Sequence, residues 1–135
     1  MMTIIGSVEE VHGGTKSFSV SAVVRGRGGR EVEKTFKVFW SDNTTFFSKG
    51  RRRTPSQANK IRPGTRRVLT ARTTSSGSLV ATEVWHPTTG GVLALTASEC
   101  KNLGGTVSDD QDCPMTKKRC TTVGGSMCIN AYDPR

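Results

Sequence analysis

The stretch SFSVSAVVR, residues 17–25, alternates polar and apolar side chains with a period of two. Phe18, Val20, Ala22 and Val24 fall on one face, and serines occupy most of the other. Because successive side chains of a β-strand point to opposite faces of the sheet, this pattern predicts a half-buried strand. A strand of this kind needs partners that bury its apolar face, so the neighbouring sequence decides the fold.

Four other segments have strand character. Residues 31–40 repeat the alternation after a glycine-rich turn, so this segment should pair with residues 17–25. The remaining strand segments are 3–11, 66–72 and 78–85. Five strands, with a long connection at residues 41–64 after the third, favour a small sheet that closes on itself. We therefore expect a mainly β protein built on a five-stranded OB-like β-barrel, the oligonucleotide/oligosaccharide-binding type; a small sandwich is the alternative.

The sequence changes character after the fifth strand, which predicts a barrel at residues 1–86, a linker at 87–94 and a cysteine-rich mini-domain at 95–135. Thr96 and Glu99 match a helix capping box, and Gly104-Gly105 is typical of a helix end. A short helix carrying Cys100 should therefore begin the mini-domain. Strand segments are predicted at 106–108, 119–123 and 126–130, the last two forming a hairpin through Gly124-Gly125.

The four cysteines all lie in this C-terminal part. They contain no closely spaced pair of the kind that structural zinc sites use, so two disulfides are expected rather than a metal. The spacing leaves three pairings open, and we favour the one that ties the helix to the hairpin. The favoured pairs are Cys100 with Cys120 and Cys113 with Cys128. Disulfides favour an extracellular or periplasmic location, although the first residues lack the features of an export signal.

Charge is concentrated in the barrel segment. The chain has 20 Lys and Arg against 11 Asp and Glu, a net charge of +9, and residues 91–135 carry equal numbers of each sign. No carboxylate occurs between Asp42 and Glu83, and such a basic field attracts polyanions. Basic side chains beside an exposed ring are typical of single-strand nucleic-acid binding. The candidate polyanion-binding residues are Arg51, Arg52, Arg53, Arg62, Arg66 and Arg67, with Phe47 as a stacking platform.

The remaining motifs favour structural interpretations. The segment 25–30 resembles a single RGG element, but a glycine-rich hairpin turn explains it more simply. Asp109, Asp110 and Asp112 lack the glycine and glutamate of a calcium loop, so a solvated turn is expected. His12 and His86 accompany no nucleophile or metal-binding motif. We therefore expect no enzyme activity, no cofactor and no metal, and no apolar segment is long enough for a membrane helix.

The first 85 residues resemble small bacterial OB-like domains of unknown function. The matching elements are Gly6-x-Val8, Phe18-x-Val20, Thr44-x-Phe46, Ile61-x-Pro63-Gly64-x-x-x-Val68 and Gly77-x-Leu79-x-Ala81-x-x-Val84. The tail, Leu95-Thr96-x-x-Glu99-Cys100-x-x-Leu103-Gly104-Gly105 through Cys128-Ile129, resembles a short four-cysteine motif of uncharacterised bacterial proteins. The matching positions are mostly fold-determining, and neither resemblance implies a catalytic residue.

Composition, charge and motifs together predict a non-enzymatic module that binds a polyanion, with nucleic acid as the preferred partner. The alternative is a structural subunit of an extracellular or virion-like assembly, in which strand edges and loops contact neighbouring copies. A homo-oligomer is expected in that second case and would be recognised by its size.

Overall fold

The computed structural model describes residues 1–25, 29–47, 55–56, 61–89, 92–93, 95–114 and 116–130. The first seven strands are β1 (Met2–His12), β2 (Ser17–Arg25), β3 (Glu31–Phe39), β4 (Thr45–Phe47), β5 (Pro55–Ser56), β6 (Arg66–Thr73) and β7 (Leu79–Trp85). The C-terminal part contains β8 (Thr88–Thr89), β9 (Val92–Leu93), helix α1 (Ala97–Asn102), β10 (Thr106–Ser108), β11 (Lys117–Thr122) and β12 (Gly125–Asn130).

Five strands form a closed barrel in the order β1-β2-β3-β7-β6. Four of the five contacts around the barrel are antiparallel. The fifth is parallel and joins Val38 and Phe39 of β3 to Leu79 and Val80 of β7. The prediction of a mainly β, five-stranded barrel is therefore confirmed, with each predicted strand within two residues of its observed bounds.

The connection expected to be a loop carries two additional short strands. β4 runs parallel to β7, and β5 pairs with β4. A period of two cannot be recognised in a segment of only two or three residues. These two strands were therefore not predicted from the sequence. The predicted linker forms the short β8–β9 hairpin.

Strand β1 pairs with two different strands along its length. Its residues 2–7 pair with β6, and its residues 7–12 pair with β2. At the crossing, a Cβ on Gly6 would collide with the carbonyl oxygen of Ser21, so the close approach requires glycine. Residues 3–5 are left with an edge that β2 does not cover. The Ile5 N–H uses this edge to donate to the carbonyl of Gly124 at 3.1 Å.

The barrel interior is filled by the alternating apolar residues of its strands. Residues predicted from alternation, such as Phe18, Val20 and Val38, are fully buried. Val32 is predicted on the same face but is 51% exposed. It lies in the first part of β3, whereas β3 pairs with β7 only at Val38 and Phe39. The buried cluster comprises Ile4, Val8, Phe18, Val20, Ala22, Phe36, Val38, Phe46, Ile61, Leu69, Ala71, Ala81 and Val84.

A second core lies on the outside of the barrel. Ile5, Val68 and Trp85 each sit next to a residue of the interior cluster, so their side chains point outward. The C-terminal part covers them with Leu95, Cys100, Cys120, Met127 and Ile129. The segment predicted as a mini-domain therefore shares a hydrophobic core with the barrel.

Both predicted disulfides and the favoured pairing are confirmed, as Cys100–Cys120 and Cys113–Cys128. The predicted helix also forms. The Glu99 N–H donates to the Thr96 hydroxyl oxygen at 3.1 Å, which is the expected N-cap bond. The first disulfide joins this helix to β11, so covalent bonds and the second core hold the same elements together.

The C-terminal hairpin turns one residue earlier than predicted. β11 and β12 end their pairing at Thr122 and Gly125, which leaves Val123 and Gly124 as the turn. Gly125 has a φ of +140°, and a Cβ there would collide with the carbonyl oxygen of Ile5. The glycine pair is therefore required by close contact with β1 as well as by the turn.

Candidate functional site

Three of the candidate arginines lie at one end of the barrel, where β6 begins and β7 ends. Val68 pairs with Trp85, so Arg67 and His86 occupy the next positions of the same register. Phe46 pairs with Val84, so Phe47 follows at this end of the sheet. We call this region the β6 end, defined by Arg62, Arg66, Arg67 and His86. The predicted residues Arg51, Arg52 and Arg53 lie outside the described residues.

Arg62 and Arg66 are exposed on either side of a tight turn. Gly64, with a φ of +82°, donates its N–H to the carbonyl of Val8 at 2.7 Å, which fixes the turn against β1. The Arg66 guanidinium donates weakly to the carbonyl of Ser126 at 3.4 Å. Neither arginine makes an ion pair with a residue that the structure describes. Both charges therefore remain available to an external anion.

Arg67 differs from its neighbours because its side chain is buried, with 6% exposure. Its Nη1 donates to the carbonyl of Arg66 at 2.9 Å, and it forms no ion pair within the described ranges. Burial lowers the pKa of the Arg67 guanidinium, because the charged form loses hydration. A buried cation without a counterion is an unusual and costly arrangement.

His86 lies beside this arginine and is half-buried rather than fully at the surface. Burial lowers the pKa of His86, and the positive charge of Arg67 lowers it further. Both effects favour a neutral imidazole at pH 7. The register that places His86 next to Arg67 could not be read from the sequence.

The aromatic residues near this end are largely occupied by packing. Phe46 is buried in the barrel core and meets Trp40 edge to face, with ring centroids 6.2 Å apart. Phe47, the predicted stacking platform, is half-buried and packs against the second core. Phe39 lies under the ammonium of Lys37, 5.3 Å from the ring centroid. Of these three rings, Phe46 has the least surface to offer a base.

A groove of about 390 Å³ lies next to the β6 end, between Arg66 and the C-terminal hairpin. Its other lining residues are Arg119, Ser126, Met127 and Cys128. Arg119 donates to the Ser126 hydroxyl at 2.9 Å and to Asp110 Oδ2 at 2.6 Å. The groove thus contains one arginine that is paired with a carboxylate and one that has no carboxylate partner among the described residues.

Asp110 links the hairpin to the barrel. The same Oδ2 accepts from Arg25 at 2.7 Å, and the carboxylate side chain is only 10% exposed. The expectation of a solvated turn is therefore wrong for Asp110, because it faces cations from β2 and β11 that are distant in sequence. The backbone N–H of Asp112, 2.8 Å from Oδ1, is the main cause of the lowered Asp110 pKa. Arg119 and Arg25 lower this pKa further, against the opposing effect of burial.

We expect Asp110→Asn to lower the melting temperature at pH 7 and to have little effect in strong acid. The lowered pKa means that the carboxylate contributes stability above its ordinary value of 3.8, and that this contribution is lost as pH falls through the folded-state value. Thermal melts of both proteins between pH 7 and pH 2 would measure the difference. Asp109→Asn is the control, because that side chain is 92% exposed and its pair with Lys118 spans 3.7 Å. Equal losses in the two variants would contradict a special role for Asp110.

Within the described ranges, no three His, Cys, Asp or Glu side chains are grouped as metal ligands. In those same ranges, no helix is both long enough and apolar enough to cross a membrane. Comparison with known proteins gives no match to a family model, to a curated protein or to a solved structure.

Proposed function

We propose that the protein is a non-enzymatic, OB-like module that binds a polyanion, with nucleic acid as the preferred partner, through the β6 end. One observation carries the proposal. Arg25 and Arg119 share the carboxylate of Asp110, whereas Arg62, Arg66 and Arg67 have no carboxylate partner among the described residues. A polymer of regularly spaced negative charges would supply the missing partners.

The barrel topology supports the OB-like part of the proposal. In OB-folds, the face of the second and third strands and the adjoining loops bind oligonucleotides and oligosaccharides. Here the equivalent strands β2 and β3 carry mixed charges, with Glu31 and Glu33 beside Lys34 and Lys37. The acid-free span lies instead at β6 and in the segment that precedes it. We therefore place the polyanion at the β6 end and in the adjoining groove.

The two disulfides are typical of an oxidising compartment. We infer an extracellular or periplasmic location. There the polyanion would be nucleic acid outside the cytoplasm or a sulfated or phosphorylated polymer. Binding assays with single-stranded DNA, RNA and heparin would separate these partners.

We expect binding to weaken steeply with salt and to depend on Arg62 and Arg66. Each contact to a single-strand phosphate contributes roughly 0.7 to the slope of log K against log salt, so Arg62→Gln/Arg66→Gln should reduce the slope by about 1.4 and the low-salt affinity by about tenfold. Fluorescence anisotropy with labelled single-stranded DNA over a salt series would measure both quantities.

The matched control is Lys34→Gln/Lys37→Gln, which removes the same charge from exposed positions on β3. A similar loss in both double variants would indicate general charge attraction, and a larger loss in the β3 variant would move the site to the usual OB face. No detectable binding of DNA, RNA or heparin at low salt would overturn the proposed function.

The structural-subunit alternative makes a different prediction about size. Among the described residues, 31–37 of β3 pair with β2 alone, so their outer edge has no strand partner. This edge carries Glu31, Glu33, Lys34 and Lys37, and charged side chains of this kind discourage edge-to-edge pairing. A large homomeric assembly in light scattering, formed without a polyanion, would favour the alternative.

A further inference from the structure

Arg67 is the least compensated charge in the described part of the chain. Its side chain is 6% exposed, and its one hydrogen bond goes to the backbone carbonyl of the preceding residue, at 2.9 Å. A guanidinium has five N–H donors, so most of its hydrogen-bonding capacity is unused by the described residues. Desolvation of an ion normally requires a partner of opposite charge nearby.

The sequence limits where an internal partner could come from. The segments 48–54 and 57–60, which adjoin the β6 end in the chain, contain no Asp or Glu. Glu83, the nearest carboxylate in sequence, lies on β7 and makes no ion pair with Arg67. His86, the titratable neighbour of Arg67, is cationic when protonated and cannot neutralise it. Among the described residues, no carboxylate therefore balances the charge of Arg67.

We propose that Arg67 and His86 form a binding position for a single phosphoryl group at the β6 end. The planar guanidinium fork matches two oxygens of a tetrahedral phosphate, and a neutral imidazole can donate its ring N–H to a third. Arg62 and Arg66 are exposed at the same end of the barrel, where their charges would attract the anion and the rest of a polymer. The identity of that polymer rests on the proposed function, whereas the position itself rests on the geometry of Arg67.

This position has a role distinct from that of the exposed arginines. Contacts from exposed arginines are screened by salt, because water and counterions compete for both partners. A phosphoryl group bound to a buried guanidinium is less screened and more strictly oriented. Arg67 would therefore fix the position of one phosphate on the protein. The exposed arginines would supply most of the salt-dependent affinity.

The two histidines of the chain provide a direct test. Imidazole NMR signals of His86 and His12 are followed against pH in sodium phosphate and in sodium chloride at equal ionic strength. A bound phosphoryl group adds a negative charge next to His86 and should raise its pKa by about 1. His12 is the internal control, since it lies at the far end of β1 and pairs with Glu10 at 3.1 Å. Its NMR signals should be the same in both salts.

Variants at two arginines identify the group responsible. Arg67→Gln should abolish the effect of phosphate on His86, and Arg67→Lys should retain part of it. Arg72→Gln, at an exposed position near the other end of β6, should leave the effect in place. The wild-type titration remains decisive if an Arg67 variant does not fold. An unchanged His86 pKa in phosphate, or a full effect in Arg67→Gln, would overturn the phosphoryl position.

A short thymidine oligonucleotide separates this inference from the proposed function. If phosphate and the oligonucleotide both raise the His86 pKa, the position binds a backbone phosphate. If phosphate raises the His86 pKa and the oligonucleotide does not bind, the position stands as a site for a free phosphate or phosphomonoester, and the nucleic-acid function fails. If the oligonucleotide binds without any effect on His86, the function stands and the position at Arg67 is wrong.

Discussion

Replacing Trp85 by alanine is expected to lower the free energy of unfolding by about 3–5 kcal/mol. Trp85 is the largest fully buried side chain, and it lies between the outer barrel face and the C-terminal part. Its loss would leave a cavity next to Ile5, Val68 and Ile129 that the disulfide-linked elements cannot easily fill. Urea denaturation followed by far-ultraviolet circular dichroism would measure the change.

Trp40→Ala is the matched control, because it removes the chain's other tryptophan from a half-buried position. Trp40 stacks on Phe18 at 6.0 Å at the edge of the barrel core, so the expected loss is roughly half as large. Hydrogen exchange of β11 and β12 should accelerate in Trp85→Ala and remain slow in Trp40→Ala. A loss below about 1 kcal/mol for Trp85→Ala would show that the second core contributes little to stability.

The second large effect concerns the disulfides. Replacing Cys100 and Cys120 by alanine should cost about 3 kcal/mol from loop closure alone, and somewhat more because both residues are fully buried in the second core. Cys113 and Cys128 close a loop of similar length, with sequence separations of 15 and 20 residues for the two pairs. The difference in loop length is worth only about 0.3 kcal/mol. Burial, rather than loop length, therefore decides which disulfide matters more.

The comparison needs both double variants, Cys100→Ala/Cys120→Ala and Cys113→Ala/Cys128→Ala, under identical conditions. We expect the first to be less stable than the second by about 1 kcal/mol, since Cys128 is only half-buried at the rim of the groove. Chemical denaturation of both variants would check the order. Equal stabilities, or a reversed order, would indicate that the second core rearranges to fill the space left by the buried sulfurs.

The sequence contains a second pattern, besides the alternation of polar and apolar residues, that indicates the second core. Ile4-Ile5, Val68-Leu69 and Val84-Trp85 are adjacent apolar pairs within otherwise alternating strands. Such pairs place one apolar side chain on each face of the sheet, which is typical of strands buried on both sides. β2 and β3 largely lack these pairs at their centres, and their outer faces remain uncovered by the second core. The pairs therefore mark the strands β1, β6 and β7, which contribute to the second core.

The candidate site was less predictable than the fold. Arg62, Arg66 and Arg67 form one basic cluster in the sequence, yet the first two are exposed and the third is buried. The difference arises because Arg67 lies opposite Gly6 in the register with β1, on the barrel side of the sheet. Neither this register nor the position of His86 follows from residue types.

Local chemistry in the sequence determined the strands β2 and β3, the helix cap at Thr96, the cysteine-linked tail and the location of the excess charge. These features depend on side-chain periodicity, on hydrogen bonds within a few residues, or on composition alone. The tertiary structure alone decided that the tail covers Trp85, that Asp110 joins Arg25 to Arg119, and that Arg67 is buried without a carboxylate. Each of these features depends on contacts between residues that are far apart in the chain. Strand register and barrel closure determine these contacts, and both form only when the whole chain folds.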